Sequence, residues 1–385
     1  MTPTIEVITA PERLAALKHP WRALWERAGG ELFQSHEWVN AWSQTATVGS
    51  DTRLRIAVAW HGDRLVAALP MVVRRHMMLR RLEWVARDHS DYCDLLADQD
   101  ADIALQQGLW TAICRSGGFD VVRLTQVRPD ALVRHLLDSA SVTSGNLEMR
   151  DNQQPCLGIS NVWPSGDKWF RSLNKKARNN YTRGRRILSE LGGEVEFRIV
   201  DPAEGPVEQM LEHVLTLKRR WLEAYQPRSP FLATRFDRQR AVLNAAAETG
   251  LMRIFLLTCG GTISAASVNF VYPNKLQAYL TAYDPQYERA SPGTILIIDY
   301  TKWAFDRRLS YVDFLRGDEP FKHRFANSET HLKGFIGAQT LLGRMVVEQL
   351  AWYSHACATW MRWRNGNKLE VTGERAAAAP LVHEH

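Results

Sequence analysis

Residues 252–315 constrain the fold more than any other part of the chain. Three strand-like runs follow one another with almost no chain between them: MRIFLLTC (252–259), TISAASVNFVY (262–272) and KLQAYLTAY (275–283). Connections of two residues, the first being Gly260-Gly261, suit hairpins. A parallel neighbour would need a crossover of about a dozen residues or more, so these runs pair antiparallel. The loop DPQYERASPG (284–293) leads into the apolar helical segment TILIIDYTKWAFDRR (294–308), and the strand SYVDFL (310–315) follows. The order is three antiparallel strands, a loop, a helix and a returning strand.

The first half gives a similar order. TIEVIT (4–9) reads as a strand, and Leu14, Leu17, Trp21, Leu24 and Trp25 carry helical spacing across 11–28. Ser35 is a candidate N-cap for a helix with Trp38, Val39 and Trp42 on one face. LRIAVAW (54–60) and RLVAALPMVV (64–73) predict a hairpin around His61-Gly62-Asp63, and RRLEWVA and SDYCDLLA predict two more strands. Helical spacing resumes over 102–115, Gly117-Gly118 stops it, FDVVRLTQV (119–127) reads as a buried strand, and a helix is expected near 129–138. Turn-rich segments between 140 and 168 flank the strand-like QPCLGI and place a domain boundary there. Beyond it, helices are expected at 174–191, 206–224 and 234–248, with the strand EVEFRIV between the first two. The expected class is α/β (α+β), in two tandem units of mixed, mainly antiparallel sheet flanked by helices. The divisions are 1–155, 156–340 and a C-terminal helix and tail, 341–385.

Composition narrows the setting. At 45% hydrophobic and 23% charged residues, the 385-residue chain is not a disordered one. Cys93, Cys114, Cys156, Cys259 and Cys357 are scattered without CxxC spacing, which argues for a reducing compartment and against a disulfide framework or a zinc site. The first residues lack a basic stretch followed by an apolar one, and no run reaches the roughly 20 apolar residues of a spanning helix. These features predict a cytoplasmic protein without a metal.

Several stretches carry candidate chemistry. A small-residue loop at a helix start offers free N–H groups and the positive end of the helix dipole, so 289–294 suits an anion such as a pyrophosphate. Ser291 would cap that helix, Pro292 would open it, and Gly293 would let a ligand approach the backbone. In SYVDFL, alternation places Tyr311, Asp313 and Leu315 on one face. A carboxylate on an apolar strand is costly unless paired or used. Asp313 is therefore either a general base raised by burial or half of an ion pair with Arg316 or Lys322. Asp318 and Glu319 occupy a turn, and Lys322 and Arg324 suit an anionic group of a substrate. Residues 168–186 hold eight Lys and Arg with no acid, more than the whole net charge of +6. This suits an acidic or glycan-linked substrate, a solvated helix face or RNA. Of the 14 Trp, Trp163, Trp169 and Trp221 are the ones open to a substrate role. Cys259, beside Gly260-Gly261, reads as a buried inert thiol. The segment from 341 reads as a helix with an apolar surface at Met345, Leu350, Tyr353, Cys357, Trp360 and Trp363, suited to covering a domain, a dimer seam or a membrane surface.

AYDPQYERASPGTILIIDYTKWAF and YVDFLRGDEPFKHRF resemble the hallmark blocks of a bacterial GNAT acyltransferase family associated with cellulose and exopolysaccharide biosynthesis, related to the Fem-type peptidyltransferases, which carry two GNAT-like domains in tandem. FQSHEWVNAW (33–42), RLVAALPMVVRR (64–75), SDYCDLL (90–96) and LNKKARNNYTRGRRILSELGG (173–193) extend the similarity over about 30–338. The loop departs from the GNAT pattern in having one glycine where two are common. The resemblance implies transfer of an acyl group from acetyl-CoA or another acyl-CoA to an amino sugar or hydroxyl of an exopolysaccharide or its precursor. It places the acyl-CoA on Arg289, Ala290, Ser291, Pro292, Gly293 and Thr294. It makes Asp313 and Tyr283 the catalytic candidates and Lys175, Arg178, Asp318 and Lys322 the acceptor-binding ones, in a cleft between the two units. The expected partner is an anionic or glycan-linked small molecule, with peripheral membrane association through the C-terminal helix and no nucleic acid unless the donor is a charged tRNA. Two alternatives stand beside this: a Fem-like transferase using aminoacyl-tRNA, and a non-catalytic, nucleotide-binding regulator of polysaccharide assembly.

Overall fold

The computed structural model describes residues 3–47, 50–139, 148–202, 205, 207–229, 232 and 235–349. The first half contains β1 (Thr4–Ile8), α1 (Pro11–Ala15), α2 (Lys18–Ala28), α3 (His36–Thr47), β2 (Thr52–His61), β3 (Arg64–His76), β4 (Leu79–Trp84), β5 (Leu96–Ala97), α4 (Ile103–Ser116), β6 (Val121–Val127) and α5 (Val133–Ser139). The second contains β7 (Glu148–Ser160), α6 (Gly166–Ser172), α7 (Lys175–Gly192), β8 (Val195–Val200), α8 (Val207–Tyr225), α9 (Phe236–Ala247), β9 (Met252–Cys259), β10 (Thr262–Val271), β11 (Lys275–Tyr283), α10 (Pro292–Asp306), β12 (Tyr311–Arg316), α11 (Pro320–His323) and β13 (Ser328–Ala338). Residues 341–349 are helical; Leu350, Tyr353, Cys357, Trp360 and Trp363 lie outside the described residues.

One mixed sheet runs through the molecule in the order β1-β2-β3-β4-β6-β13-β7-β12-β11-β10-β9-β8, with the short β5 beside β3. The halves mirror each other. In the first, β1 to β4 pair antiparallel and β4 then meets β6 in parallel, Arg81 facing Val121. In the second, β8 to β11 do the same and β11 meets β12 in parallel, Lys275 facing Tyr311. The two central strands do not pair in chain order. β7 follows the first half's elements but pairs with β12, and β13 follows β12 but pairs with β6. β7 and β13 also pair with each other at the centre. Residue 155, the expected boundary, falls inside β7.

Three expectations change in the structure. The 11–28 helix is two helices, because the second starts afresh at Lys18 with Pro20 in its first turn, where the missing N–H costs nothing. SDYCDLLA contributes only β5. Asp94 instead accepts the N–H groups of Leu132 and Val133 at 2.8 Å each, fixing the entry to α5, and burial raises its carboxyl to about 6. β13 had no sequence counterpart, since Gly334 and Gly337 interrupt its apolar alternation.

Packing joins the halves as well as the sheet does. Trp21, Trp38 and Trp42 of the first half share one buried cluster with Val242, Leu243, Phe270 and Leu280 of the second, and the rings of Trp38 and Tyr279 meet edge to face at 5.7 Å.

Candidate active site

The last parallel pair between β11 and β12 is Gln277 with Asp313, and beyond it the strands part. Both strands bend there. Tyr279 is an extra residue in β11, which shifts its register against β10, and Leu315 sits at φ 57° where β12 slips against β7. The edge of β11 from Ala278 to Tyr283 thus has no β12 partner. A cavity of about 590 Å³ opens between the strands. Its walls come from β11, the start of α10, the end of β12 and α8, together with Asp88, His89 and Asp91 of the first half.

The loop after β11 forms a 3-10 turn, Pro285–Ala290, and α10 begins at its end. Ser291 stands at the capping position with φ 53°, but its side chain makes no capping hydrogen bond. Gly293 and Thr294 line the cavity. Arg289 and Ser291 are exposed beside it, while Ala290 and Pro292 are buried. Ala290 is covered by α7, whose Gly184 lies so close that a Cβ would sit 2.4 Å from the Ala290 carbonyl oxygen. The corresponding helix of the first half, α4, is closed by its own Asp102, whose carboxylate accepts the Leu105 N–H at 2.8 Å. A carboxylate there repels an anion, so the helix start suited to a pyrophosphate is that of α10.

Lys218 of α8 projects into the cavity. Its Nζ lies 4.3 Å from the centre of the Trp221 ring and donates to the Thr281 carbonyl at 3.3 Å. Burial against these groups lowers its ammonium to about 8. Across from it, Arg316 pairs with Asp91 at 3.3 Å, and burial raises the Asp91 carboxyl above its ordinary value. Lys322 also lines the cavity, but its Nζ donates to Glu319 at 2.8 Å and to the Arg316 carbonyl at 2.8 Å. Tyr283 lines the cavity beside Gly293.

The other sequence candidates lie elsewhere. Asp318 is in an exposed pair with His323. Lys175 is exposed at the start of α7, and the Arg178 guanidinium donates to the Leu173 carbonyl at 3.0 Å and to that of Arg171, tying down the end of α6. Neither lines the cavity. Trp169 is core, Trp163 stacks on Phe305, and Trp221 alone of the three reaches the cavity. The Cys259 thiol is buried and donates to the Leu188 carbonyl.

Asp313 faces away from the cavity, into a polar cluster between the halves. The bulge that turns Leu315 out of alternation separates Asp313 from the wall formed by Phe314, Leu315 and Arg316. The Tyr92 hydroxyl lies 2.9 and 3.0 Å from its two oxygens, and the Leu315 N–H donates to Oδ1 at 2.8 Å. It pairs with neither Arg316 nor Lys322. Burial raises its carboxyl to about 6. A folded-state value above the unfolded one near 3.9 means that stability is fully present below about 4 and is lost as pH rises through about 6. Asp313→Asn keeps an oxygen for both donors and removes that loss. At pH 7 the variant should match or exceed the wild type in urea stability, by up to about 3 kcal/mol, with turnover nearly unchanged. A fall in turnover of about 10² or more at normal stability would put Asp313 in the reaction.

Lys218 escaped the sequence reading, although a trace of it was present. Leu211, Val214, Leu215, Lys218, Trp221 and Leu222 form one helical stripe, and Lys218 is the cation on its apolar side. Asp91 lies in SDYCDLLA, which reads as a strand, and Asp88 and His89 lie in the short connection before it, which carries no motif.

Residues 175–323 match the family model described as an acetyltransferase (GNAT) domain, so this part of the chain is a GNAT-type acyltransferase domain. Its span runs from the start of α7 to α11 and contains most of the cavity wall. No curated protein matches the sequence. Among solved structures, FemX superposes with a TM-score of 0.53 at 10% identity, covering 87% of this chain and 97% of FemX. The C-terminal domain of a putative lysylphosphatidylglycerol synthetase from Agrobacterium fabrum gives 0.52 at 10% identity, covering 85% of this chain and 93% of that one. A tandem GNAT protein from the clavulanic acid biosynthesis pathway gives 0.46 at 11% identity, covering 88% and 99%. The first two share the fold across both halves.

Proposed function

We propose that the chain transfers an acyl group, acetyl in the simplest case, from acyl-CoA to an amine or hydroxyl of an amino sugar in an exopolysaccharide or its precursor. The observation that carries this is the cavity at the parting of β11 and β12, with the uncapped start of α10 at its rim. The free edge of β11 offers backbone groups to the amides of a pantetheine arm, and the α10 N-terminus offers partial positive charge to a pyrophosphate. Trp221 and Tyr279 supply aromatic walls, and Asp88, Asp91, Glu319 and Arg316 supply polar groups, a combination suited to a sugar.

The chemistry needs a proton acceptor for the nucleophile and a proton for the departing thiolate. Lys218 takes the first role. Its neutral amine accepts the acceptor's proton as the nitrogen or oxygen bonds to the thioester carbonyl carbon. Tyr283 supplies the proton to the thiolate as the carbon–sulfur bond breaks. Such a reaction places the protein in the cytoplasm, where acyl-CoA is found. Among the described residues no helix is long and apolar enough to cross a membrane, and no cluster of His, Cys, Asp or Glu suits a metal.

Incubation with acetyl-CoA and a panel of amino sugars should release free thiol, and acetyl-CoA should raise the melting temperature. A nucleotide that stabilises the protein where acyl-CoA does not would favour a regulator instead. The exposed cations of α7 (Lys175, Lys176, Arg183 and Arg186) favour a second reading, in which the donor is a charged tRNA. Transfer from aminoacyl-tRNA without any from acyl-CoA would establish it. The cradle has its own test. A Cβ on Gly293 would sit 3.3 Å from the Tyr283 ring, and an aspartate adds charge at the helix start. Gly293→Asp should raise the acyl-CoA Kd at least about tenfold, or about 1.4 kcal/mol, by calorimetry. Unchanged affinity in the folded variant would remove the cradle from this helix.

A further inference from the structure

The hairpin between β3 and β4 ends in a two-residue turn, Met77-Met78, flanked by the pairs His76 with Leu79 and Arg75 with Arg80. Such turns favour Asn and Gly, because they call for left-handed backbone. Here Met77 takes φ 55°, and both methionines are 84% exposed. Turn geometry therefore does not account for them, and neither does the core.

A second apolar element lies at the same end of the molecule. Leu341, Leu342 and Met345 open the helix 341–349 and are exposed. With Met77 and Met78 they make up half of the large exposed apolar side chains among the described residues. One residue holds the two elements together. Asp120 accepts from the Arg80 backbone N–H at 2.9 Å, from its guanidinium at 3.1 Å and from the Thr340 hydroxyl at 3.1 Å. The Gln339 N–H donates to the Asp120 carbonyl at 2.9 Å.

The rim of this apex is basic. Residues 74–81, RRHMMLRR, hold four arginines and no acid. Arg74 turns inward to Glu83, Arg80 is held by Asp120, and Arg75 reaches the exposed Asp51 at 3.6 Å; Arg75, His76, Arg80 and Arg344 are exposed, with Arg81 half-buried.

We propose that Met77-Met78 and the start of the 341–349 helix form one docking apex for an anionic lipid bilayer. The methionines and leucines enter the acyl boundary, and the arginines meet lipid phosphates. A turn tip is convex and offers no groove to a protein partner. A second copy in a two-fold arrangement would bring the same arginines face to face. The proposal extends the expected membrane contact of the C-terminal helix to the hairpin, and it stands whether or not acyl-CoA is the donor. β4 runs from this apex to the loop bearing Asp88, His89 and Asp91. The cavity thus lies about 20 Å from the docked surface, one six-residue strand away.

The test is co-sedimentation of the full chain with vesicles of phosphatidylcholine and phosphatidylglycerol, against phosphatidylcholine alone. The wild type should bind the anionic vesicles, and less so as salt rises. Met77→Ser with Met78→Ser should weaken partition by about tenfold or more. Leu341→Ser with Leu342→Ser should weaken it in the same direction. Arg75→Gln with Arg81→Gln should remove much of the salt dependence. Unchanged melting by circular dichroism shows that the variants fold. The proposal is overturned if the wild type does not bind anionic vesicles, or if the methionine pair can be replaced without loss of binding. It is also overturned if the methionine variant instead abolishes a concentration-dependent dimer seen by ultracentrifugation.

Discussion

Replacing Lys218 by glutamine should cut turnover by about 10²–10⁴, the usual contribution of a positioned base, with the acyl-CoA Kd little changed. The side chain has the placement the role needs, lining the cavity with its Nζ over Trp221 and 3.3 Å from the Thr281 carbonyl. Its lowered value has a clear sign. An ammonium held near 8 gives up its proton within reach of neutral pH, so kcat/KM of the wild type should rise with pH through about 8. Lys218→Gln should lack that inflection. Lys218→Arg, which keeps the charge but cannot give up its proton, should be as slow as the glutamine variant. If Lys218 only packs on Trp221, the variants lose melting temperature and keep both turnover and the pH profile.

The second half was readable because its strands are short apolar runs joined by two-residue turns, and such runs have few ways to pair. β9, β10 and β11 lie where MRIFLLTC, TISAASVNFVY and KLQAYLTAY predict them, and α10 and β12 follow within two residues. What sequence pattern does not carry is partner choice. Nothing in QPCLGI says that its strand will leave the first half for β12, and the glycine-broken β13 gave no alternation to read. The site was legible to the same degree. Tyr283, Gly293 and Thr294 reach the cavity because they flank the loop that carries the chain from β11 into α10, and Lys322 reaches it from α11 after β12. For Asp313, strand alternation does not give the side-chain direction, since one bulge at Leu315 changes which residues face the opening. Lys218 and Asp91 enter from elements that are distant in sequence, so only the fold could bring them together.

The largest stability effect is expected at Glu31, where the two halves meet below the parting of the strands. Its Oε1 accepts from Arg128 at 2.8 Å and from Lys275 at 2.5 Å, and Oε2 accepts from Gln277 at 3.0 Å. Arg128 in turn lies 4.9 Å over the ring of Tyr92, whose hydroxyl holds Asp313. Arg128 follows β6, while Lys275 and Gln277 open β11, so one carboxylate joins the two units beside their last shared pairs. Burial pushes the Glu31 carboxyl up, but Arg128 and Lys275 outweigh it and hold it below the ordinary range. Glu31→Gln keeps the shape, leaves the half-buried Lys275 without its anion and leaves Arg128 only the exposed Asp130 at 3.3 Å, which costs about 3–5 kcal/mol at pH 7. A depressed folded-state value stabilises above the unfolded pKa and is lost as pH falls through the folded one, so the gap between wild type and variant should close below about pH 4. Urea midpoints at pH 7 and at acid pH measure it. Adding Lys275→Met to Glu31→Gln should cost less than the two single changes together, because the second removes a charge that the first had stranded. Additive losses, or a single loss under about 1 kcal/mol, would mean that Glu31 behaves as a solvated surface pair and that the shared sheet alone holds the halves together.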